Sequence, residues 1–336
     1  MHVVAAAAEY NQSTLRSCTG AAPIGMAARS AASMQSESAS TSRHFFAVGA
    51  VLKNEAHSIK EWLHHYVNEG ASAFIFLDDN STDASVSIAQ QFFHAATPRI
   101  SSVFIPRNAA KHRYVQPQFY SELKAYVEQM GVEWLLVADL DEFAYCRLEN
   151  VPIREMLRRD RYRGADLVHL PWLVFGANGL ERTPRSLVQS FTRRADYDGQ
   201  VSWWAGPKHH DVSRTRWKWI ARGRSVSDFG IHNCELQKGR RAICSMTNCP
   251  PRMSEAIVNK FDIVVNHYQV QSREYWRVKM ARGDSKGVKN VGALSRTMVW
   301  FNEHNKHCNA LCDDTLARRR QHVYLKRARK RPEISD

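Results

Sequence analysis

Three acids close one strongly apolar run of this 336-residue chain. In "WLLVADLDEFAY" the residues Trp134 to Ala138 lead into Asp139, Asp141 and Glu142. Carboxylates this close repel one another, and burying them is costly unless something neutralises them. Either they stand in water at a strand end, or a cation stands between them. Asp139 and Asp141 lie two apart, and in an extended segment residues i and i+2 point the same way. Such a pair can hold a hard divalent cation, Mn²⁺ or Mg²⁺, and Mg²⁺ usually keeps phosphates and water in its shell. The plain alternative is a polar strand end or a helix cap. A second acidic cluster, "LDDNSTD", carries Asp78 and Asp79. It can accept hydrogen bonds from a base or a ribose, or be only a capped βα turn. His267 follows "FDIVV" and Asn266, where a strand should run out. Neutral imidazole is a good ligand for Mn²⁺-like ions, although a histidine bonded to backbone explains the position too. Lys279 and Arg282 stand three apart, so a helix there offers both to a phosphate on one face or leaves both in solvent.

These residues need elements to position them. Phe45 to Leu52 is rich in β-branched and aromatic residues and predicts a strand. "HSIKEWLHHYVNEG" predicts a helix with Ile59, Trp62, Leu63, Tyr66 and Val67 on one face and Gly70 as its stop. "AFIFLDD" is a second strand. "NSTDASVSIAQQFF" is a helix capped by Ser81 or Thr82, with Asp83 in its first turn. "RISSVFIP", then a helix in "QPQFYSELKAYVEQMG", then the strand "EWLLVAD" continue the alternation. Strand and helix in turn, with short connections, predict a parallel sheet covered on both faces. Ligands in such sheets bind at the carboxyl ends of the strands, where both acidic clusters fall.

After about residue 150 the pattern loosens. Strands are expected in "ADLVHLPWLVFGANG", in the Lys/Arg/Trp-rich region 203–224 and in "KFDIVVNHYQV". "SREYWRVKMARG" should be a helix ending at Gly283, and "LARRRQHVYLKRARKRP" is a basic helix or a solvated tail. The expected organisation is a disordered Ala/Ser-rich leader over 1–43, one α/β domain over 44–300 with a mostly parallel central sheet flanked by helices, and a basic C-terminal extension over 301–336.

Hydrophobic residues make up 44% of the chain, enough for a sizeable core, and the net charge of +14 favours an anionic partner. Seven cysteines are scattered without CxxC spacing. Cys308 and Cys312 have no second pair to complete a zinc site, so mostly free thiols in a reducing compartment are expected. No apolar run is long enough for a transmembrane helix. The expectation is a cytoplasmic protein with peripheral contact to an anionic membrane surface through the tail.

The ordered set "AVLKNEA", "LDDNSTD", a helix with Gln116 and Tyr120, "WLLVADLDEF", "PWLVFGANG", "WKWIAR", "GIHNC" and "NHYQVQSREYWRVKMARGD" resembles glycosyltransferases of the family 2 and family 92 type. The likeness covers roughly residues 45 to 285. It implies a GT-A-like fold and a nucleotide-sugar donor whose sugar passes to a glycan or other hydroxyl acceptor, with inversion. By this resemblance Asp139 and Asp141 are the DxD acids that hold Mn²⁺ or Mg²⁺ on the donor diphosphate, and His267, in "NHYQVQS", is a third ligand. Asp78 or Asp79 matches the acid that contacts the nucleotide, and Glu55 sits where the first strand opens onto the nucleotide. Lys218 pairs with a diphosphate or is a solvated lysine of a basic strand, Lys279 offers itself to phosphate or to solvent, and His232 binds phosphate or acceptor or is a structural histidine.

The chain departs from that pattern where "FGANG" replaces a serine-rich stretch. Asp211, Asp228, Glu181 and Glu235 are all eligible as the base. Trp203, Trp204, Trp217 and Trp219 are candidates for an acceptor platform or for packing. Two other classes compete. A phosphohydrolase with an aspartyl nucleophile would also use a strand-end DxD with Mg²⁺, but its motif usually opens the fold. A nucleic-acid-binding protein would explain the charge, but no helix-turn-helix, zinc or aromatic RNA-binding motif accompanies it, and no nucleic acid is expected as a partner.

Overall fold

The first half of the molecule alternates as its apolar periodicity requires. β1 (His44–Leu52), α1 (Ile59–Asn68), β2 (Ala73–Asp78), α2 (Ser85–Ala95), β3 (Ser101–Ile105), α3 (Val115–Gln129) and β4 (Val132–Val137) follow in order. Then come β5 (Glu142–Cys146), the short helices α4 (Ile153–Met156) and α5 (Asp160–Arg163), and β6 (Leu167–Val174). The second half adds α6 (Leu187–Ser190), β7 (Arg193–Arg194), β8 (Ser202–Trp204), β9 (His209–Asp211), β10 (Trp217–Arg222), β11 (Val226–Phe229), β12 (Cys234–Leu236) and β13 (Ala242–Cys244). It ends with α7 (Glu255–Val258), β14 (Ile263–His267), α8 (Arg273–Arg282), α9 (Met298–Cys308), β15 (Leu311–Cys312) and α10 (Thr315–Ala328). This is a computed structural model, and it describes residues 43–96, 100–199, 202–204, 209–211, 217–230, 232–246, 249–282 and 296–328. The Ala/Ser-rich leader lies outside the described residues.

The central sheet runs β3-β2-β1-β4-β10-β6-β14-β5, with β13 pairing β6 beside β14. Only β10 and β5 run against the other strands, so the sheet is mostly parallel. Both faces are buried, as the near-continuous apolar strands require. Along β4, Trp134 and Leu136 face one core with Trp62 and Tyr66 of α1, while Leu135 and Val137 face another with Phe119 and Leu123 of α3. Each fully buried aromatic of this kind contributes about 2–3 kcal/mol. Gly70 ends the turn after α1 at φ +94°, where a side chain would strain the backbone and meet Arg154.

The order of strands matters for function. The chain passes from β1 outward to β2 and β3, then returns across β1 to β4 on its other side. Loops leaving β1 and β4 therefore part in opposite directions and open a crevice at their carboxyl ends.

Two local expectations are corrected. α2 begins at Ser85, and Ser81 and Thr82 do not cap it. The Ser81 hydroxyl instead donates to Asp78 Oδ1 at 2.5 Å, and Asp83 Oδ1 accepts from the Ser85 N–H at 2.9 Å. Asp78 and Asp83 each hold a local turn, so the backbone cannot wind into helix before residue 85. The cysteines are not all thiols: Cys244 and Cys249 are bonded to each other, their Cα atoms 5.4 Å apart, and Cys312 is also disulfide-bonded. Cys146, Cys234 and Cys308 are free and buried. Of the two forms open to the basic segment, the chain takes the helix over Thr315–Ala328; Arg318 stays exposed, while Arg319 and Arg320 turn inward. Arg319 pairs with Glu69 at 2.8 Å and donates to the carbonyls of Cys146 and Val151. Arg320 pairs with Glu61. No helix among the described residues is long and apolar enough to cross a membrane.

Candidate functional site

Asp139 and Asp141 lie in a turn, not in an extended strand, which corrects the spacing argument that put them on one side of a strand. β4 ends at Val137, and the Glu142 N–H donates to the Asp139 carbonyl at 3.0 Å. In return the Asp139 N–H donates to Glu142 Oε2 at 2.9 Å, and the Trp62 indole N–H pins the same carbonyl of Asp139 at 3.0 Å. The turn is needed because β5 departs for the far edge of the sheet, where Glu142 stands opposite His267 of β14. β14 runs parallel to β6 and ends at His267. β10 runs antiparallel to β4 and β6, so its first residues, Trp217 and Lys218, arrive at the same edge. The topology thus gathers Asp139, Asp141, Glu142, Lys218 and His267 at the carboxyl edge of the parallel strands.

Two ammonium groups face the acids. Lys279 of α8 donates to Asp141 Oδ2 at 2.7 Å and to the Gln269 carbonyl at 2.8 Å. Lys218, fully buried, stands 3.0 Å from Glu142 Oε2 and 3.5 Å from Asp139 Oδ2. Burial disfavours charge on Asp141, yet the Lys279 ammonium and His267 hold its carboxyl well below the usual carboxylate range. Burial pushes the Glu142 carboxyl up to about 7 against the pull of Lys218. Burial works against charge on Lys218 as well, but Asp139, Glu142 and Tyr120 keep its ammonium protonated. Asp139 is 43% exposed and is the open member of the group.

His267 Nε2 lies 3.6 Å from Asp141 Oδ1. Ligand bonds of about 2.1 Å allow two ligand atoms to stand up to roughly 4 Å apart, so this pair fits a shared cation. Among the described residues, no group of three or more His, Cys, Asp or Glu side chains is gathered for a metal ion. The reason is visible in the contacts: Lys279 takes the second oxygen of Asp141, and Lys218 stands at Asp139. His267 Nδ1 is buried without a partner; the Trp172 ring, its centroid 4.5 Å away, supports the imidazole.

The other expected residues fall in three places. Glu55, after β1, accepts from the Tyr275 hydroxyl at 2.7 Å and from Arg282 at 2.9 Å, so it ties β1 to α8. Asp78, the last residue of β2, is engaged with Ser81. Asp79 lies between Lys53 at 3.5 Å and Arg107 at 3.4 Å. His232 is exposed and meets the edge of Trp172 at 5.1 Å. Lys279 turns to Asp141 and Arg282 to Glu55, so the two do not stand together as one open phosphate face.

Among the candidate bases, Glu181 pairs with Arg273 at 2.9 Å, and Asp228 faces Glu235 across the β11–β12 hairpin. The Asp211 side chain lies outside the described residues. Trp219 is fully buried, stacked on Phe229 at 5.6 Å, and is core rather than platform. Trp217 is half-buried beside Phe261, and the side chains of Trp203 and Trp204 lie outside the described residues. "FGANG" is held shut from α9: Asn305 Oδ1 accepts the Ala177 N–H at 2.5 Å and Asn309 Oδ1 the Asn178 N–H at 2.9 Å.

Sequence reasoning gave no role to Glu142 or Trp172. A buried acid one residue past a DxD is a readable signal, because it demands a buried cation. Trp172 carries none, since "LVHLPWLV" is apolar throughout.

No protein-family model matches the chain, and no curated protein sequence matches it. Solved structures that resemble it do so distantly. One is a mannosyltransferase from Pyrobaculum calidifontis in complex with GDP-Man and Mn²⁺, with 14% identity, a TM-score of 0.37, and 85% of this chain and 76% of that one covered. Another is S. aureus TarS, with 16% identity and a TM-score of 0.30, where 53% of this chain spans 28% of the other. A third is glucosyl-3-phosphoglycerate synthase from Mycobacterium tuberculosis with Mn²⁺ and UDP, with 13% identity, a TM-score of 0.28, and 55% and 58% covered. The chain spans little more than a quarter of TarS and less than two thirds of the synthase.

Proposed function

We propose that the chain is a glycosyltransferase of GT-A type that moves a sugar from a nucleotide-sugar donor to an acceptor hydroxyl, with inversion and with Mn²⁺ or Mg²⁺. The observation that carries this reading is the convergence of Asp139, Asp141, His267, Lys218 and Lys279 beside the crevice between β1 and β4. Acids alone would repel a diphosphate. Acids with two ammonium groups and an imidazole suit a divalent ion and the phosphates it accompanies.

In this reading Asp139, Asp141 and His267 hold the ion. When bound, it neutralises the diphosphate that departs. Lys218 and Lys279 add fixed positive charge where that negative charge develops, in a site that burial keeps poor in water. Asp78 and Asp79, at the end of β2, face the nucleoside, and Asp79 arrives there already oriented by Arg107. Glu55 holds α8, and with it Lys279, against the first strand. A general base, drawn from the acids of the second half, takes the proton of the acceptor hydroxyl as that oxygen attacks the anomeric carbon. His232 stands toward the acceptor, resting on Trp172. A nucleic-acid role is less well supported, because Arg319 and Arg320 of the basic segment are spent on Glu69 and Glu61.

The test is a thermal-shift panel of UDP- and GDP-sugars with and without Mn²⁺. A ligand present at 100 times its Kd stabilises the folded state by about 2.7 kcal/mol. One donor class should raise the melting temperature only in the presence of the ion. No shift with any donor would count against the reading.

A further inference from the structure

The cation that now occupies Asp141 belongs to the protein. Lys279 Nζ donates to Asp141 Oδ2 at 2.7 Å and is only 9% exposed on its side chain, while Asp141 is 12% exposed. The same carboxylate turns its other oxygen to His267 Nε2 at 3.6 Å. Asp141 and His267, which would hold a divalent ion, thus share their carboxylate with a buried ammonium. The charge around the site is already nearly balanced. Asp139, Asp141 and Glu142 contribute three carboxylates and Lys218 and Lys279 two ammonium groups, which leaves at most one net negative charge. A dication entering alone would find little attraction and one close repulsion. A nucleoside diphosphate entering with it supplies the missing negative charge, and gives the Lys279 ammonium an alternative anion.

We propose that Lys279 is a built-in counter-ion that keeps Asp141 ordered and closed to metal, and that yields it only when a nucleoside diphosphate arrives. Metal and nucleotide then bind as a coupled pair, each raising the affinity for the other by the same factor. Lys279 is a positioning residue here. Its hold on the Gln269 carbonyl at 2.8 Å keeps the ammonium at the site whichever anion it faces. This inference rests on the metal reading of Asp141 and His267.

The test measures Mn²⁺ binding by water-proton relaxation enhancement, which separates protein-bound from nucleotide-bound ion, with and without UDP or GDP. Wild type should bind Mn²⁺ at least tenfold more tightly when the fitting nucleotide is present. Lys279→Met should bind Mn²⁺ alone about tenfold more tightly than wild type and lose most of the coupling. Lys279→Arg, which restores the charge, should restore weak binding of the lone ion. A wild-type affinity that ignores the nucleotide overturns the inference, and this arm needs no variant to fold. A folded Lys279→Met with lone-ion affinity unchanged or weaker overturns it too. Failure of the underlying reading looks different: Asp141→Asn would then bind Mn²⁺ as wild type does, with and without nucleotide.

Discussion

His267 offers the sharpest question about a single residue. If it ligates the ion, His267→Ala weakens Mn²⁺ affinity about 10- to 100-fold in the presence of nucleotide, the scale on which groups of a metal site act. In chelator the variant loses its packing on Trp172 and its contact with Asp141, so the titration is read where it is folded. A structural histidine gives that lower melt with an unmoved titration. His65 is a second informative residue. Burial lowers its pKa well below 6.5, the neighbouring Arg320 adds to this, and the Ala144 carbonyl it contacts at 2.7 Å only partly opposes it. Its folded pKa is depressed, so the unfolded chain takes up the proton first. The stability it contributes is full above about pH 6.5 and is lost as pH falls below that value. Melts of wild type should therefore decline on acidification below pH 6.5, and His65→Gln should flatten part of that decline. An identical slope in the variant would remove His65 from the account.

At the level of elements, the alternation of strand and helix through β4 was readable because every strand is buried on both faces and every helix carries one apolar face. What could not be read was set by contacts far apart in sequence. The turn at Asp139–Asp141 exists because β5 must reach β14, and nothing local in "DLDEF" records that destination. The start of α2 moved because Asp78 and Asp83 capture nearby backbone and hydroxyl groups. The inward turn of Arg319 depends on Glu69, which lies at the end of α1. Burial raises the Glu69 carboxyl while Arg319 pulls it down, so the two are mutually dependent. Truncation after Leu316 should thus cost about 3–5 kcal/mol, as breaking a buried pair from one side does. Arg319→Ala should reproduce most of the loss. Denaturant melts of both decide it, and an unchanged midpoint would make α10 an appendage.

For the whole molecule, a net charge of +14 is more than the two lysines of the candidate site supply. The arginines of α10 up to Arg320 are each paired with an acid, so these pairs sum to zero and leave the net charge to other residues. The expectation that remains is that the basic residues beyond Gln321 meet an anionic surface. Sedimentation with vesicles rich in anionic lipid should show binding at low salt that fades toward physiological ionic strength, at about 1 kcal/mol per basic residue near the surface. A protein shortened after Gln321 should lose that binding. Full-length protein that ignores such vesicles at low salt contradicts the idea.

The central claim is that the acids after β4 serve a metal-dependent transfer from a nucleotide sugar. The direct measurement is release of nucleoside diphosphate from a panel of UDP- and GDP-sugars, in Mn²⁺ and in chelator, by wild type and Asp141→Asn. The variant removes the negative charge opposite the buried Lys279 ammonium, so it should melt lower and must be assayed where it is folded. The account predicts that one donor class is cleaved in Mn²⁺, that chelator abolishes the release, and that Asp141→Asn lowers it by about 10²–10³-fold. Undiminished release by folded Asp141→Asn with the same Mn²⁺ dependence would contradict it.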